Sequence, residues 1–208
     1  MGQYYKATIL KKNWKLAKKQ PVAASLLCYD FNNGAKLMEH SYAGNQYVAA
    51  VLSLLGTAYK GYPFVWVGDY ADEVKTFRGV FDIYTQAGRF IYKDYDGTQD
   101  GHSKRYEGLK KFVKDGNSDY KYLLNYTKKE FCIIPSYNPD EWTIHPLPLL
   151  TCSGNGRGGG DYRLVEDGYN YEEDERIGSW AYCKIGATND INETIGFKHI
   201  DGKFRLDF

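Results

Sequence analysis

The sequence predicts a single α+β domain over residues 1–208, with a largely antiparallel or mixed sheet and two or three inserted helices. The first observation behind this is a series of apolar and β-branched runs joined by short turns, because such runs pair as antiparallel hairpins. The second is one segment with clear helical periodicity among them. The third is that no internal repeat and no linker-like stretch divides the 208 residues.

Strands and turns alternate at the start of the chain. Residues 4–10 (YYKATIL) and 23–30 (AASLLCYD) are rich in aromatic, apolar and β-branched residues, as strands are. The stretch Asn32 to Gly34 favours a tight turn, because Asn and Gly tolerate positive φ, and residues 36–38 would return as a partner strand. The lysine-rich residues 11–19 predict a solvated loop or sheet edge.

Helical periodicity is clearest over residues 45–55 (NQYVAAVLSLL), where apolar residues share one face, Asn45 can cap and Gly56 can end the helix. Residues 63–67 (PFVWV) then predict a buried strand. The spacing of aromatic and apolar residues favours a second helix over 72–95, and residues 94–105 predict a polar loop.

The second half predicts two hairpins and one more strand. Residues 120–134 favour a hairpin, and the four prolines of 135–150 favour an extended or looped chain rather than a helix. A strand is expected over 180–185. A last hairpin would pair 197–200 with 203–206.

Composition excludes some functions and suggests a compartment. With 27 basic and 26 acidic residues, the chain is neither a polyanion mimicking DNA nor a uniformly basic nucleic-acid coat. Four cysteines lack CxxC spacing; two disulfides are formally possible, but free thiols in a reducing cytosol are expected. The lysine-rich start lacks the apolar core of a secretory signal, and no apolar run approaches the about 20 residues that span a bilayer. The sequence therefore predicts a soluble cytoplasmic protein with no membrane partner.

Several motifs resemble a family of uncharacterised proteins from Gram-positive and Bacteroidetes bacteria and their phages. The motifs are MGQYYK (1–6), KLMEHSY (36–42) with Gly44-Asn45, VWVGDYAD (65–72), NYTKKE (125–130), HPLPLLT (145–151) and GNGRGGGDY (154–162). No activity is attached to the family, so the resemblance implies a shared fold without a mechanism. A phage association implies a host-interaction or anti-defence role, in the host cytoplasm, by analogy alone.

The glycine loop, residues 154–162 (GNGRGGGDY), is the strongest candidate site. Glycines let the main chain approach a ligand, successive N–H groups can cradle an anion, and Arg157 has a guanidinium fork suited to phosphate or carboxylate. The loop is neither a Walker A nor a dinucleotide-binding motif, and a flexible linker is the alternative interpretation. The candidate ligand-binding residues here are Asn155, Gly156, Arg157, Gly158, Gly159, Asp161 and Tyr162.

Two acidic segments follow predicted strands and supply further candidates: Glu39 with His40, and Asp69 with Asp72. They could bind a ligand or a divalent metal or serve in acid–base chemistry, but the spacing matches no metal motif. Capping of a helix by Asp72, and a packed, hydrogen-bonded His40, are the structural alternatives. His145, before Pro146, is the better second histidine candidate. No catalytic residue, metal ligand or cofactor is assigned.

Three functions remain open on this sequence. One is a binding protein holding a small anionic, nucleotide-like ligand at the glycine loop. Another is a protein-interaction module or inhibitor of a host or defence enzyme, working through surfaces rich in the 20 tyrosines, which could equally stack bases. The last is a metal-dependent hydrolase. Residues 39–45, 68–73 and 154–162 are expected to meet in space, with Arg157 paired to Asp69, Asp72 or Glu39.

Overall fold

The computed structural model describes residues 2–89, 120–138, 140, 142–159, 161–162, 164–166, 170–172 and 174–204. Within them the chain forms a single-domain α+β fold, as the sequence predicts. The strands are β1 (Tyr5–Leu10), β2 (Val22–Leu26), β3 (Tyr62–Gly68), β4 (Val74–Thr76), β5 (Gly79–Phe81), β6 (Tyr122–Asn125), β7 (Glu130–Ile133), β8 (Cys152–Ser153), β9 (Leu164–Glu166), β10 (Asn170–Glu172), β11 (Lys184–Thr188) and β12 (Lys198–His199). The α-helices are α1 (Leu37–His40), α2 (Gln46–Gly56), α3 (Ile83–Ala87) and α4 (Pro146–Thr151).

The main sheet has eight strands. Seven follow the order β12-β7-β6-β11-β3-β1-β2, and β8 pairs with β3. All pairings are antiparallel except β12 with β7 and β8 with β3, so the sheet is mixed but mostly antiparallel. Two small ribbons, β4 with β5 and β9 with β10, lie outside it. Strand β11 joins β3 to β6 and thereby connects the two halves of the sheet.

Strand β3 lies between two apolar layers. Its alternating side chains point to opposite faces, so Phe64 and Trp66 join the larger core while Val65 and Val67 join a smaller one. The larger core is covered by α2, and the smaller one is closed by Trp14, Phe81 and other apolar side chains. Because both faces are buried, the strand is a continuous apolar run in the sequence.

Helix α2 confirms the helical prediction. The Asn45 side chain accepts hydrogen bonds from the N–H groups of Tyr47 and Val48, which satisfies donors that a helix start leaves free. The hydroxyl of Tyr47 accepts from the N–H of Ala7 in β1 and donates to the carbonyl of Leu26 in β2. One side chain therefore joins the helix to two strands.

Two predicted elements near the start are wrong in detail. The second strand ends at Leu26, and Cys28–Phe31 forms a 3₁₀ turn that ends at Asn32, with φ of 54°. The chain therefore leaves as α1 rather than as the returning strand expected at 36–38. The lysine-rich stretch 11–19 is largely exposed as expected, but its Trp14 is buried against Tyr182.

The helix expected over 72–95 is wrong for residues 72–82, which include β4 and β5, but α3 is helical within the predicted range. Residues 90–95, with the loop predicted at 94–105, lie outside the described residues. Val74 and Phe81 lie opposite each other in the β4–β5 ribbon. Their separation of seven residues therefore matches helical periodicity by coincidence. Phe77 is at the turn and is 84% exposed.

The extended or looped chain predicted for 135–150 is wrong at its end, where α4 is helical. Pro146 and Pro148 both lie in its first turn, where no intrahelical N–H bond is required. The hairpin expected over 120–134 is confirmed as β6 and β7. The strand expected at 180–185 begins only at Lys184. The last predicted hairpin is wrong, because residues 198–199 pair in parallel with β7 instead of with 203–206. Residues 205–206 lie outside the described residues.

Within the described ranges, no helix is long and apolar enough to cross a membrane. The four cysteines are free and buried, which confirms the expectation of free thiols.

Candidate functional site

The glycine loop contacts the segment after β3, as the sequence predicts. The guanidinium of Arg157 donates to both oxygens of Asp72, at 2.7 and 2.8 Å, and to the carbonyl of Tyr70 at 3.0 Å. The hydrogen bonds from Arg157 lower the pKa of Asp72. Asp72 therefore pairs across the surface and caps no helix; Asp82 caps α3. The pair is exposed to solvent.

The anion-binding positions of the loop hold a carboxylate of the chain itself. The backbone N–H groups of Arg157 and Gly158 both donate to Oδ2 of Asp161, at 3.0 Å, and the hydroxyl of Tyr5 donates to Oδ1 at 2.8 Å. Burial raises the pKa of Tyr5, which keeps this hydroxyl protonated as a donor. Asp161 is 8% exposed. A ligand anion would therefore have to displace a buried, hydrogen-bonded carboxylate.

The remaining loop residues also bind within the chain. The side-chain amide of Asn155 accepts from the N–H of Tyr162 and donates to its carbonyl, both at 2.9 Å. Gly159 accepts from the N–H of Gln3 at 3.1 Å, and Gly156 lies in open space, where an added Cβ would meet nothing.

Packing against Gln3 explains why two positions of this loop are glycine. Its fully buried side chain lies so close to the backbone that a Cβ on Gly154 or Gly158 would collide with it. The loop glycines therefore allow the N-terminal segment to pack tightly against it, a role that the composition of the loop does not distinguish from ligand binding.

Neither Glu39, which is exposed, nor His40, which is buried, pairs with Arg157 in the described part of the chain. Glu39 accepts from the N–H of Lys36 at the start of α1. His40 is fully buried, its Nε2 accepts from the indole N–H of Trp66 at 2.8 Å, and its Nδ1 lies 3.0 Å from the carbonyl of Gly34. Burial lowers the pKa of His40 to about 4.

Of the predicted candidates, the structure thus brings the 69–72 segment and the glycine loop together. Asp69 accepts from the N–H of Tyr4, which ties the same N-terminal segment to the end of β3. Among the described residues, no group of three or more His, Cys, Asp or Glu side chains could hold a metal ion.

A cavity elsewhere has the features of a binding site. Its volume is about 500 Å³, within the range of small-molecule sites. Its buried side is formed by Asn45, Val48, Leu52 and His145, and its exposed side includes Lys121 and Tyr137. The walls come from the first half of α2, the residues before β6, the residues after β7 and the residue before α4.

Pairing between two segments that are distant in the sequence places His145 at this cavity. The segments 41–43 and 143–145 run antiparallel, with the N–H of Ala43 donating to Thr143 and the N–H of His145 donating to Ser41. His145 then caps α4, because its Nδ1 accepts from the N–H of Leu147 at 3.1 Å. Its Nε2 is buried and has no hydrogen-bond partner among the described residues. Burial lowers the pKa of His145 to about 3.

Two glycines position the tyrosines that wall the cavity. Gly44 precedes α2 with φ of 80°, and a Cβ there would collide with the ring of Tyr137. Gly56 ends α2, and a Cβ there would collide with the ring of Tyr120. Each end of α2 is therefore open for an aromatic ring to lie against the backbone.

Known protein families, curated protein sequences and solved structures give no match to this chain. The resemblance seen in the sequence motifs therefore stays a prediction. The cavity is therefore interpreted from its geometry alone.

Sequence reasoning singled out His145 as a candidate but missed the cavity around it. Its wall residues are Ala43, Gly44, Asn45, Val48, Ala49, Leu52, Tyr120, Lys121, Ile134, Pro135, Ser136, Tyr137 and His145. They come from four separated segments and form no motif. The one local signal was a histidine held next to proline, between apolar residues.

Proposed function

We propose that this chain is a binding protein for a small anionic molecule and that the cavity beside His145 is the binding site. The observation that carries the proposal is His145, which lines the cavity and whose buried Nε2 has no hydrogen-bond partner among the described residues. Leaving a buried polar group unpaired costs about 1–3 kcal/mol, so a ligand that supplies the missing hydrogen bond gains that interaction.

The charge of the walls supports an anionic ligand. Lys121 lies at the exposed side, and the lining contributed by the described residues contains no aspartate or glutamate. The first turn of the eleven-residue α2 also contributes to the lining, and a helix start carries partial positive charge. Apolar and aromatic walls suit a ring or a nucleobase as the body of the ligand.

The glycine loop is the weaker location for that ligand. Its N–H donors bind Asp161 and its guanidinium binds Asp72, so the loop would have to exchange internal partners for external ones. The cavity requires no such exchange. The free cysteines further support a reducing compartment such as the cytoplasm.

Thermal-shift measurements test the proposal and its location. The wild-type chain is screened against nucleoside monophosphates, cyclic nucleotides and aromatic carboxylates, and at least one class should raise the melting temperature. His145→Asn keeps an acceptor for capping α4 but removes the Nε2 donor, and it should abolish the shift. Arg157→Ala is the matched control and should keep it.

The reverse pattern, with the shift lost in Arg157→Ala and kept in His145→Asn, would move the site to the glycine loop. A screen in which no class raises the melting temperature would reject small-anion binding as the function.

A second candidate function is a protein-interaction module, favoured by the exposure of Phe77. This residue lies at the turn of the β4–β5 ribbon next to Arg78 and is 84% exposed. Phe77→Ser should abolish any specific binding to a protein from a host lysate and leave the melting temperature unchanged. Capture that is identical for wild type and variant would exclude this surface.

A further inference from the structure

The capping bond of His145 determines which ring nitrogen carries the proton. The N–H of Leu147 can only donate, so the Nδ1 that lies 3.1 Å away must accept with its lone pair. A neutral imidazole with an unprotonated Nδ1 carries its hydrogen on Nε2. The unpartnered Nε2 of this cavity-lining residue is therefore an N–H donor.

Burial keeps this ring in its neutral form. His145 is 4% exposed, and the other titratable side chains that line the cavity among the described residues are Lys121, Tyr120 and Tyr137, none of which is a carboxylate. The protonated ring would therefore be a buried cation with no described carboxylate in the lining to pair with it. The Nε2 donor of His145 is thus an uncharged N–H.

We infer that the ligand presents an oxyanion, a carboxylate or a phosphoryl oxygen, to the Nε2–H group of His145, with an apolar or aromatic body along α2. The inference rests on the proposed function and specifies the chemistry of that site. A metal ion is disfavoured because binding at Nε2 would need the lone pair that the capping tautomer does not offer. An amine is disfavoured because it would face a donor and the Lys121 ammonium.

The tautomer is tested on the unliganded protein. In a long-range ¹H–¹⁵N correlation spectrum of histidine-labelled protein, His145 should show a protonated Nε2 and an unprotonated Nδ1, unchanged from pH 5 to pH 8. His145→Asn assigns the signals. A protonated Nδ1, or a titration midpoint within that range, would overturn the inference without touching cavity binding itself.

The ligand class is tested with probes that share one ring. Benzoate and phenyl phosphate supply the two kinds of oxyanion, and benzylamine is the matched cation. At least one oxyanion should shift the Nε2 resonance and bind at least tenfold more tightly than benzylamine. Comparing benzoate with phenyl phosphate shows whether the site prefers a carboxylate or a phosphate.

Two variants separate the contributions of His145 and Lys121 to oxyanion binding. His145→Asn should weaken oxyanion binding about tenfold, and Lys121→Gln, at the exposed side, should weaken it without disturbing the His145 signals. Equal binding of benzylamine and the oxyanions, or no shift with either oxyanion, would reject the ligand class. A His145-dependent thermal shift with some other molecule would then still support the cavity as a binding site.

Discussion

Two buried histidines use their ring nitrogens in opposite ways. His40 accepts with Nε2 from the indole of Trp66, so its hydrogen lies on Nδ1 and is donated to Gly34. His145 accepts with Nδ1 and keeps an Nε2–H group that has no hydrogen-bond partner among the described residues. The first ring has both nitrogens bound within the protein, which is the packed role considered for it, whereas the second has a donor to offer.

Acid should destabilise the fold through both rings. Their pKa values in the folded protein, about 4 for His40 and about 3 for His145, lie below the unfolded value near 6.5. Well above pH 6.5 both rings are neutral in the folded and in the unfolded protein, so their contribution to the free energy of unfolding is fully present. Below it the unfolded state takes up protons that the folded state does not. The free energy of unfolding should therefore fall by about 1.4 kcal/mol per pH unit for each ring between about pH 6 and pH 4.

Urea unfolding at pH 7.5, 6 and 5 measures this slope. His40→Gln keeps an acceptor for Trp66 and removes one titrating group, so its slope should be shallower than that of wild type. Equal slopes for the two proteins would show that His40 does not titrate on unfolding.

At the level of elements, the hydroxyl of Tyr47 adds hydrogen bonds to the apolar packing of α2 on the sheet. Tyr47→Phe should lower the free energy of unfolding by about 2–4 kcal/mol, because the N–H of Ala7 and the carbonyl of Leu26 both lose their partner in the core. Chemical denaturation measures the loss. Tyr62→Phe, on a half-buried ring, is the control, and a loss in Tyr47→Phe no larger than in Tyr62→Phe would contradict the role of this hydroxyl.

The glycine loop should depend on Asp161 and not on Arg157. Asp161→Ala leaves two backbone N–H groups and the hydroxyl of Tyr5 without their acceptor, and should cost about 3 kcal/mol of unfolding free energy. Arg157→Ala removes an exposed pair and should leave the melting temperature nearly unchanged. Similar melting temperatures for the two variants would mean that the loop is not held by its own carboxylate.

For the whole molecule, the four cysteines report on the integrity of the fold. All are buried, and burial raises the pKa of Cys132 and of Cys152 to about 12, which leaves little reactive thiolate. An aromatic disulfide reagent at pH 8 should therefore detect almost no thiol in the native protein and four in denaturant. Rapid reaction of any native thiol would show local opening around it.

Local signals carried the predictions that succeeded. Helix α2 was predictable because its apolar face, its Asn45 cap and Gly56 lie within twelve residues. The β4–β5 ribbon was not, because Val74 and Phe81 have the same spacing on a helix face and in a cross-strand pair. Helix α4 was missed because prolines within a first turn resemble prolines that exclude a helix.

In the glycine loop, the sequence limited the predicted partner of Arg157 to three acidic residues. The structure pairs Arg157 with Asp72, which is one of the three. That Asp161 would occupy the loop N–H groups could not be foreseen, because a loop carboxylate and a ligand anion satisfy the same donors. The cavity depends on the distant pairing of residues 41–43 with 143–145, which no local pattern encodes.

The central position of β11 has a consequence for synthesis on the ribosome. Strands β1 to β3 and strands β6 and β7 leave the ribosome before residues 184–188, and among the described strands β11 is the one that pairs with both groups. Until then each group has an open edge whose backbone N–H and C=O groups can pair with another chain. A nascent chain stopped before residue 184 lacks the strand that pairs with both groups, so we expect it to expose two sheet edges and to aggregate more readily than the full chain.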